Sequence, residues 1–128
     1  MTPNPADYDQ AFAIITSAGS SKSNSMMAIR CARQGDFEAA RALLAEADHD
    51  LHEAHRAQTE LLTEEARGHS IPVNIILVHA QDHLTGALLV RDLADEFIFL
   101  HEQLRQRGPV APAAPTTNPS DSEEGLQR

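Results

Sequence analysis

The sequence is poor in what builds sheets, membrane spans and disulfides. Among its 128 residues there are four Phe, one Tyr and no Trp. Val and Thr are sparse while Ala and Leu abound, a balance that disfavours strands and favours helices. No run of about 18 apolar residues exists, so a transmembrane helix is not expected. The opening "MTPNPADYDQ" lacks a basic stretch followed by an apolar one, which argues against a secretory signal. The one cysteine, Cys31, has no partner for an internal disulfide and no companions for a cysteine-based zinc site. A reducing cytoplasm is the expected compartment. Ten Lys and Arg stand against 19 Asp and Glu, a net charge of −9. Without a basic face to neutralise phosphates, nucleic acid is not an expected partner. The charge suits a soluble protein with a basic partner.

What is present reads as three helices and a tail, one domain over 1–107 followed by residues 108–128. The first helix is expected over about 7–34, starting near Ala6 or Asp7, with residues 1–6 loose. Phe12, Ile15, Gly19, Met26 and Ile29 mark one face. The stretch "SAGSSKSNS" interrupts it: six of its nine residues are Gly or Ser. Their side chains compete for backbone hydrogen bonds, so a bent or locally irregular helix is expected. Small residues at a helix crossing and a ligand loop both fit the stretch. Gly35 is placed to close this helix in a left-handed conformation, and Asp36 to cap the next.

The second helix is expected over 37–67, with Phe37, Ala40, Leu44, Ala47, Leu51, Ala54, Gln58 and Leu62 spaced by threes and fours. Gly68 ends it. The third is expected over 73–107, entered from Pro72. One seam runs through Ile75, His79, Asp82, Gly86, Leu89, Leu93, Phe97, Leu100 and Leu104. A second stripe holds Ile76, His83, Ala87, Val90, Ala94 and Ile98. Two adjacent apolar stripes make a face too wide for two partner helices, so an oligomer is expected. From Gly108 onward the chain carries four of its seven prolines and almost no large apolar residues. It reads as a disordered spacer.

The polar residues on the seam raise the chemical question. His79 and Asp82 are three apart and His79 and His83 four apart, so all three share one side of the helix. If the seam is core, burying a carboxylate and an imidazole there must be compensated. Three explanations fit. The cluster is a satisfied polar core, with His79 reaching Gln58 or His55 and Asp82 an arginine. Or His79, Asp82 and His83 form half of a zinc or iron site, with His49, His52 and His55 as further ligands. Or one histidine is a nucleophile toward phosphorus, with Gln81, Thr85, Gln58 and the second histidine holding phosphoryl oxygens. No Walker-type glycine loop is present, so the phosphoryl group would come from another protein.

Four segments taken together are specific. "FAIITSAGSSKS", "GDFEAA", "EAHRAQTELL" and "LVHAQDHLT", in this order over residues 8–107, resemble the lactose/cellobiose-specific enzyme IIA component of the bacterial phosphoenolpyruvate-dependent sugar phosphotransferase system. The resemblance implies an all-α, antiparallel three-helix bundle that assembles as a homotrimer of nine helices. It implies phosphorylation of His79 by the phosphocarrier HPr, then transfer to a cysteine of a cognate IIB component, during uptake of a lactose-, cellobiose- or chitobiose-type sugar. It implies that Asp82 meets its symmetry mates on the trimer axis and binds Mg2+ or a similar divalent cation. Three carboxylates converging in a low-dielectric interior repel one another unless a cation with oxygen ligands, or protonation, offsets the charge. Gln81, His83, Gln58 and His55 are then supporting residues of the site. The rival expectation is a helical oligomer that binds metal, or regulates, without transferring phosphate. The sequence departs from the family in three places: Ala80 replaces a frequent Gly beside the active histidine, "SSKS" replaces a more usual Asn/Asp-Ala-Arg-Ser, and the tail is longer and less basic. The methyl of Ala80 is expected to narrow the approach to the ring.

Overall fold

The computed structural model describes residues 5–109 and 111–115. Among them are three helices and no strand: α1 Pro5–Arg33, α2 Phe37–Ala66 and α3 Ile75–Arg107. Residues 108–109 and 111–115 of the expected tail carry no helix or strand. The rest of the tail, and residues 1–4 of the loose N-terminal stretch, lie outside the described residues.

Local chemistry sets the helix ends. Pro5 opens α1, a position where its missing N–H costs nothing and its fixed φ already suits a helix. This is earlier than the pattern suggested. At the far end Gly35 takes φ +85°. Its N–H donates to the Ala32 carbonyl at 2.9 Å and the Asp36 N–H to that of Cys31 at 2.9 Å, which satisfies two of the last carbonyls of α1. Asp36 then turns its carboxylate to the Ala39 N–H at 3.1 Å and starts α2. Gly68, φ +88°, repeats the arrangement after α2. Entry to α3 comes two residues later than expected, because Asn74 is the cap: its side-chain oxygen accepts from the Leu77 N–H at 2.9 Å. The connection is stitched to the end of α2 by Ile71, whose N–H donates to Glu65, and by the His69–Glu64 pair.

The short turn after α1 and the tied loop after α2 reverse the chain twice, so α1 and α3 run parallel and α2 antiparallel. Two apolar clusters result. One joins Ala11, Ile14, Ala18, Ala54, Ala57, Leu61, Ala80, Leu84 and Ala87. The other joins Ala28, Ala32, Ala40, Leu44, Ala94 and Ile98. Between them lies a polar waist. Ser21, fully buried, donates to the Ala47 carbonyl at 2.8 Å, and Ser20 and Asn24 both donate to Asp50. The "SAGSSKSNS" stretch is therefore a helix crossing. α1 passes through it as continuous α-helix, not the irregular one its composition suggested; Ser20, Ser21 and Asn24 give α2 hydrogen bonds that such side chains would otherwise make to their own backbone.

The core is mostly alanine: eleven of the sixteen buried apolar residues among those described. α1 packs along both neighbours, whereas α2 and α3 touch along a narrower line. Polar bridges span that line at three levels: Gln58–Gln81, Asp48–Arg91 and Arg41–Glu102. Arg91 is the firmest of them. Its guanidinium donates to both oxygens of Asp48 at 2.6 and 2.9 Å and to Asp95 at 2.6 Å. Above all through Asp48, this raises its pKa further above the ordinary arginine value, against the opposing effect of burial.

The expected seam of α3 needs correcting within one chain. The stripe of Ala87, Ala94 and Ile98 faces the core, together with Ala80 and Leu84. Ile75, Leu89, Leu93, Phe97, Leu100 and Leu104 are instead exposed, Ile75 at 79% and Leu104 at 62%. Alanine lets the backbones approach closely, so the α3 face with the smaller side chains turns inward and that with the larger ones is left outside.

Candidate functional site

His79 and His83 sit in the second and third turns of α3, after the Asn74 cap. Their spacing of four stacks them on one side of the helix. The two Nε2 atoms are 3.1 Å apart, so one ring donates its N–H and the other accepts. The rings meet edge to face, centroids 4.5 Å apart. His79 is exposed and His83 half-buried. His79 thus faces solvent, where the seam reading expected a buried imidazole needing compensation.

Asp82, also expected in the core, is exposed, and it makes no hydrogen bond or ion pair among the described residues. The costly burial does not arise in the single chain. Gln81 projects the other way, two residues round the helix from His79. Its Oε1 accepts from Gln58 Nε2 at 2.5 Å, one of the bridges between α2 and α3. Gln58 therefore pairs with Gln81 and not with His79. His55 is exposed on α2 and lines a recess of about 600 Å3 with His52, Arg56 and Thr59. No hydrogen bond links it to α3 among the described residues. Thr85 turns its hydroxyl back to the Gln81 carbonyl at 3.0 Å. Ala80 is fully buried in the first apolar cluster, so its methyl points into the core and leaves the approach to His79 untouched.

Three polar features had no signal among the candidate residues: the Ser21–Ala47 bond, the Ser20–Asn24–Asp50 group and the Arg91 clamp. Spacing on a single helix does not reveal a partner on another. The signal that was available is an arginine, Arg91, one turn before an aspartate, Asp95, on a face otherwise apolar.

A neutral imidazole carries one N–H and one lone pair. The His79–His83 pair therefore offers a solvent-facing nucleophile with a second donor beside it, on the exposed side of α3. That form suits a reaction partner as large as another protein. It does not suit a metal in the single chain. Among the described residues no three His, Cys, Asp or Glu side chains gather into a metal-holding group, and Asp82 contributes one carboxylate.

Residues 9–102 match the family described as the lactose/cellobiose-specific IIA subunit of the phosphotransferase system. The lichenan-specific phosphotransferase enzyme IIA component of Bacillus subtilis is 45% identical over 98 residues, covering 76% of this chain and 89% of that protein. The crystal structure of the cellobiose-specific enzyme IIA from Bacillus anthracis superposes with a TM-score of 0.79 at 38% identity, over 84% of this chain and 96% of the other. The chitobiose IIA of Escherichia coli, solved in solution in complex with HPr, gives a TM-score of 0.66 at 38% identity, over 76% and 94%. Three helices with a solvent-facing histidine pair on the third, and a match that runs from α1 nearly to the end of α3, lead to one assignment: the chain belongs to the lactose/cellobiose-specific IIA family and is a phosphotransferase component of a sugar phosphotransferase system.

Proposed function

We propose that His79 is the phosphoryl carrier. A ring nitrogen of His79 attacks the phosphorus of phospho-HPr in line; the N–P bond forms as the bond from phosphorus to its donor breaks. The phosphoryl group then passes to the thiolate of a cysteine on the cognate IIB component, which restores the free imidazole. The exposure of His79, with His83 at 3.1 Å, is the observation that carries this reading. His83 is the neighbouring donor for a phosphoryl oxygen. Gln58 and Gln81 act one step back, by fixing α2 to the start of α3. Both reaction partners are proteins, so the docking interfaces are modest and transient, and the work is cytoplasmic. The sugar is of the lactose, cellobiose or chitobiose type, and it never meets this chain.

The assembly belongs to the same reading. The exposed apolar stripe from Ile75 to Leu104 supports an oligomer with α3 at its centre, and the family resemblance points to a homotrimer. In that arrangement Asp82 of each copy approaches the axis. The three carboxylates would together hold a hard divalent cation of the Mg2+ type through oxygen ligands, and the cation would offset their mutual repulsion.

The test is to incubate the protein with phosphoenolpyruvate, enzyme I and HPr and read its intact mass at neutral pH, beside His79→Gln and His83→Gln. The expected result is one acid-labile phosphoryl group on the wild type and on His83→Gln, the latter formed more slowly, and none on His79→Gln. Phosphorylation of His79→Gln would move the carrier elsewhere.

A further inference from the structure

The arginines among the described residues of this acidic protein divide into two groups. Arg41, Arg56, Arg67 and Arg91 are each ion-paired to a carboxylate. Arg30, Arg33, Arg105 and Arg107 have no carboxylate partner among the described residues, and all four sit in the last turns of α1 and α3. Because those two helices are parallel, the four collect at one end of the bundle. Asp36 and Glu38 at the start of α2 lie at the same end, as does Glu102, which is committed to Arg41. The helix C-termini favour cations there, and that accounts for some of the basic charge. It does not account for the shape of the site. Arg33 and Arg105 line a recess of about 340 Å3 with Ala32, His101, Leu104 and Gly108. The Arg105 guanidinium lies where a side chain at residue 35 would stand, over the α1–α2 turn. Gly35 thus gives Arg105 its place, and the recess has a defined cationic wall.

We propose that this recess is a docking site for an acidic peptide segment, and that its occupant is the chain's own Asp121–Glu124. Three observations point to that segment. It carries Asp121, Glu123 and Glu124 within four residues, matching guanidiniums that lack carboxylates. The chain leaves α3 at Gly108, which is itself part of the recess, so the tether begins at the site. Asp121 follows thirteen residues later, and a proline-rich tether of that length spans at most about 40 Å, which keeps the segment within one helix length of the recess. Tethering of this kind sets an effective concentration on the millimolar scale, where several solvent-exposed ion pairs, each weak alone, act together. The site is at the opposite end of α3 from His79. The 22 residues from His79 to His101 correspond to about 33 Å of helix, so docking leaves phosphotransfer alone and covers the basic end of the bundle.

The test compares 1H–15N spectra, including the arginine Nε–Hε signals, of the full chain and of Asp121→Asn/Glu123→Gln/Glu124→Gln, at low salt and at about 0.5 M NaCl, where screening acts within a few ångströms. The apolar core of the described residues is built between Ala11 and Ile98, so the variant is expected to keep that core. The expected result is a set of differences centred on Arg33, His101 and Arg105 at low salt that vanish at high salt and do not change on tenfold dilution. Phosphorylation by HPr is expected to be equal in both proteins, which separates this proposal from the role of His79. Superimposable spectra at low salt, differences centred on another surface, or differences lost on dilution would each overturn it.

Discussion

The two faces of α3 are both largely apolar and differ in side-chain size. The inner face shows Ala80, Leu84, Ala87, Ala94 and Ile98, all buried. The outer shows Ile75, Leu89, Leu93, Phe97, Leu100 and Leu104, all substantially exposed, and it carries Asp82, with His79 toward its edge. Small side chains bring α1 close and complete the fold of one chain. Large ones on the opposite side do nothing for that fold and would be a liability on a solitary monomer. The comparison teaches that hydrophobic periodicity marks faces, while side-chain volume says which face is turned inward. The residues proposed to carry the chemistry, His79 and Asp82, lie on the side that the chain's own core does not use.

The difference between the faces can be broken first where it is largest. Leu84 is 1% exposed, and Leu84→Ala is expected to cost about 2–5 kcal/mol of stability through lost burial and a residual cavity, measured by urea denaturation. Leu89 is 60% exposed, and Leu89→Ala is expected to behave differently: its effect should grow as the protein is diluted, because it weakens association and not the chain's own core. Equal, concentration-independent losses for the two variants would remove the distinction.

Asp82→Leu replaces a charge on the outer face by apolar surface. It is expected to raise the melting temperature of the assembly and to abolish any loss caused by chelator, with a gain of roughly 1–4 kcal/mol. A large drop in melting temperature would argue that Asp82 is not at an axis. Arg91→Met tests the bridge between α2 and α3. Its partners Asp48 and Asp95 are 54% and 60% exposed and regain water when released, so the expected cost is only about 1 kcal/mol. Ser25 gives the smallest effect and the opposite sign. Its hydroxyl is fully buried with no hydrogen-bond partner among the described residues, and Ser25→Ala is expected to stabilise by up to about 1 kcal/mol. A destabilised variant would show that the hydroxyl has a partner.

Much of this was legible in the residues. Gly35, Asp36 and Gly68 punctuate the chain as their backbone and capping chemistry predicts, and the four-residue spacing of His79 and His83 brought the two rings together. Other features were hidden because they depend on a second helix. The Ser and Gly stretch in α1 looked like a bend or an irregular turn, yet Ala47 and Asp50 on α2 accept from Ser21, Ser20 and Asn24 and the helix runs on. Gln58 looked like a ligand for His79 and instead holds Gln81. His55 shares a sequence segment with Gln58 but faces outward from α2. Both stripes of α3 were visible, and which one the single chain buries was not, since that was settled by how closely the alanines allow α1 to approach.

The most direct test of the outer face is the mass of the purified protein by sedimentation equilibrium at micromolar concentration, beside Leu93→Lys. Burial of the stripe by other copies predicts three times the 13.9 kDa chain mass for the wild type and a shift toward the single-chain mass for the variant. A wild type that sediments as one chain would contradict it.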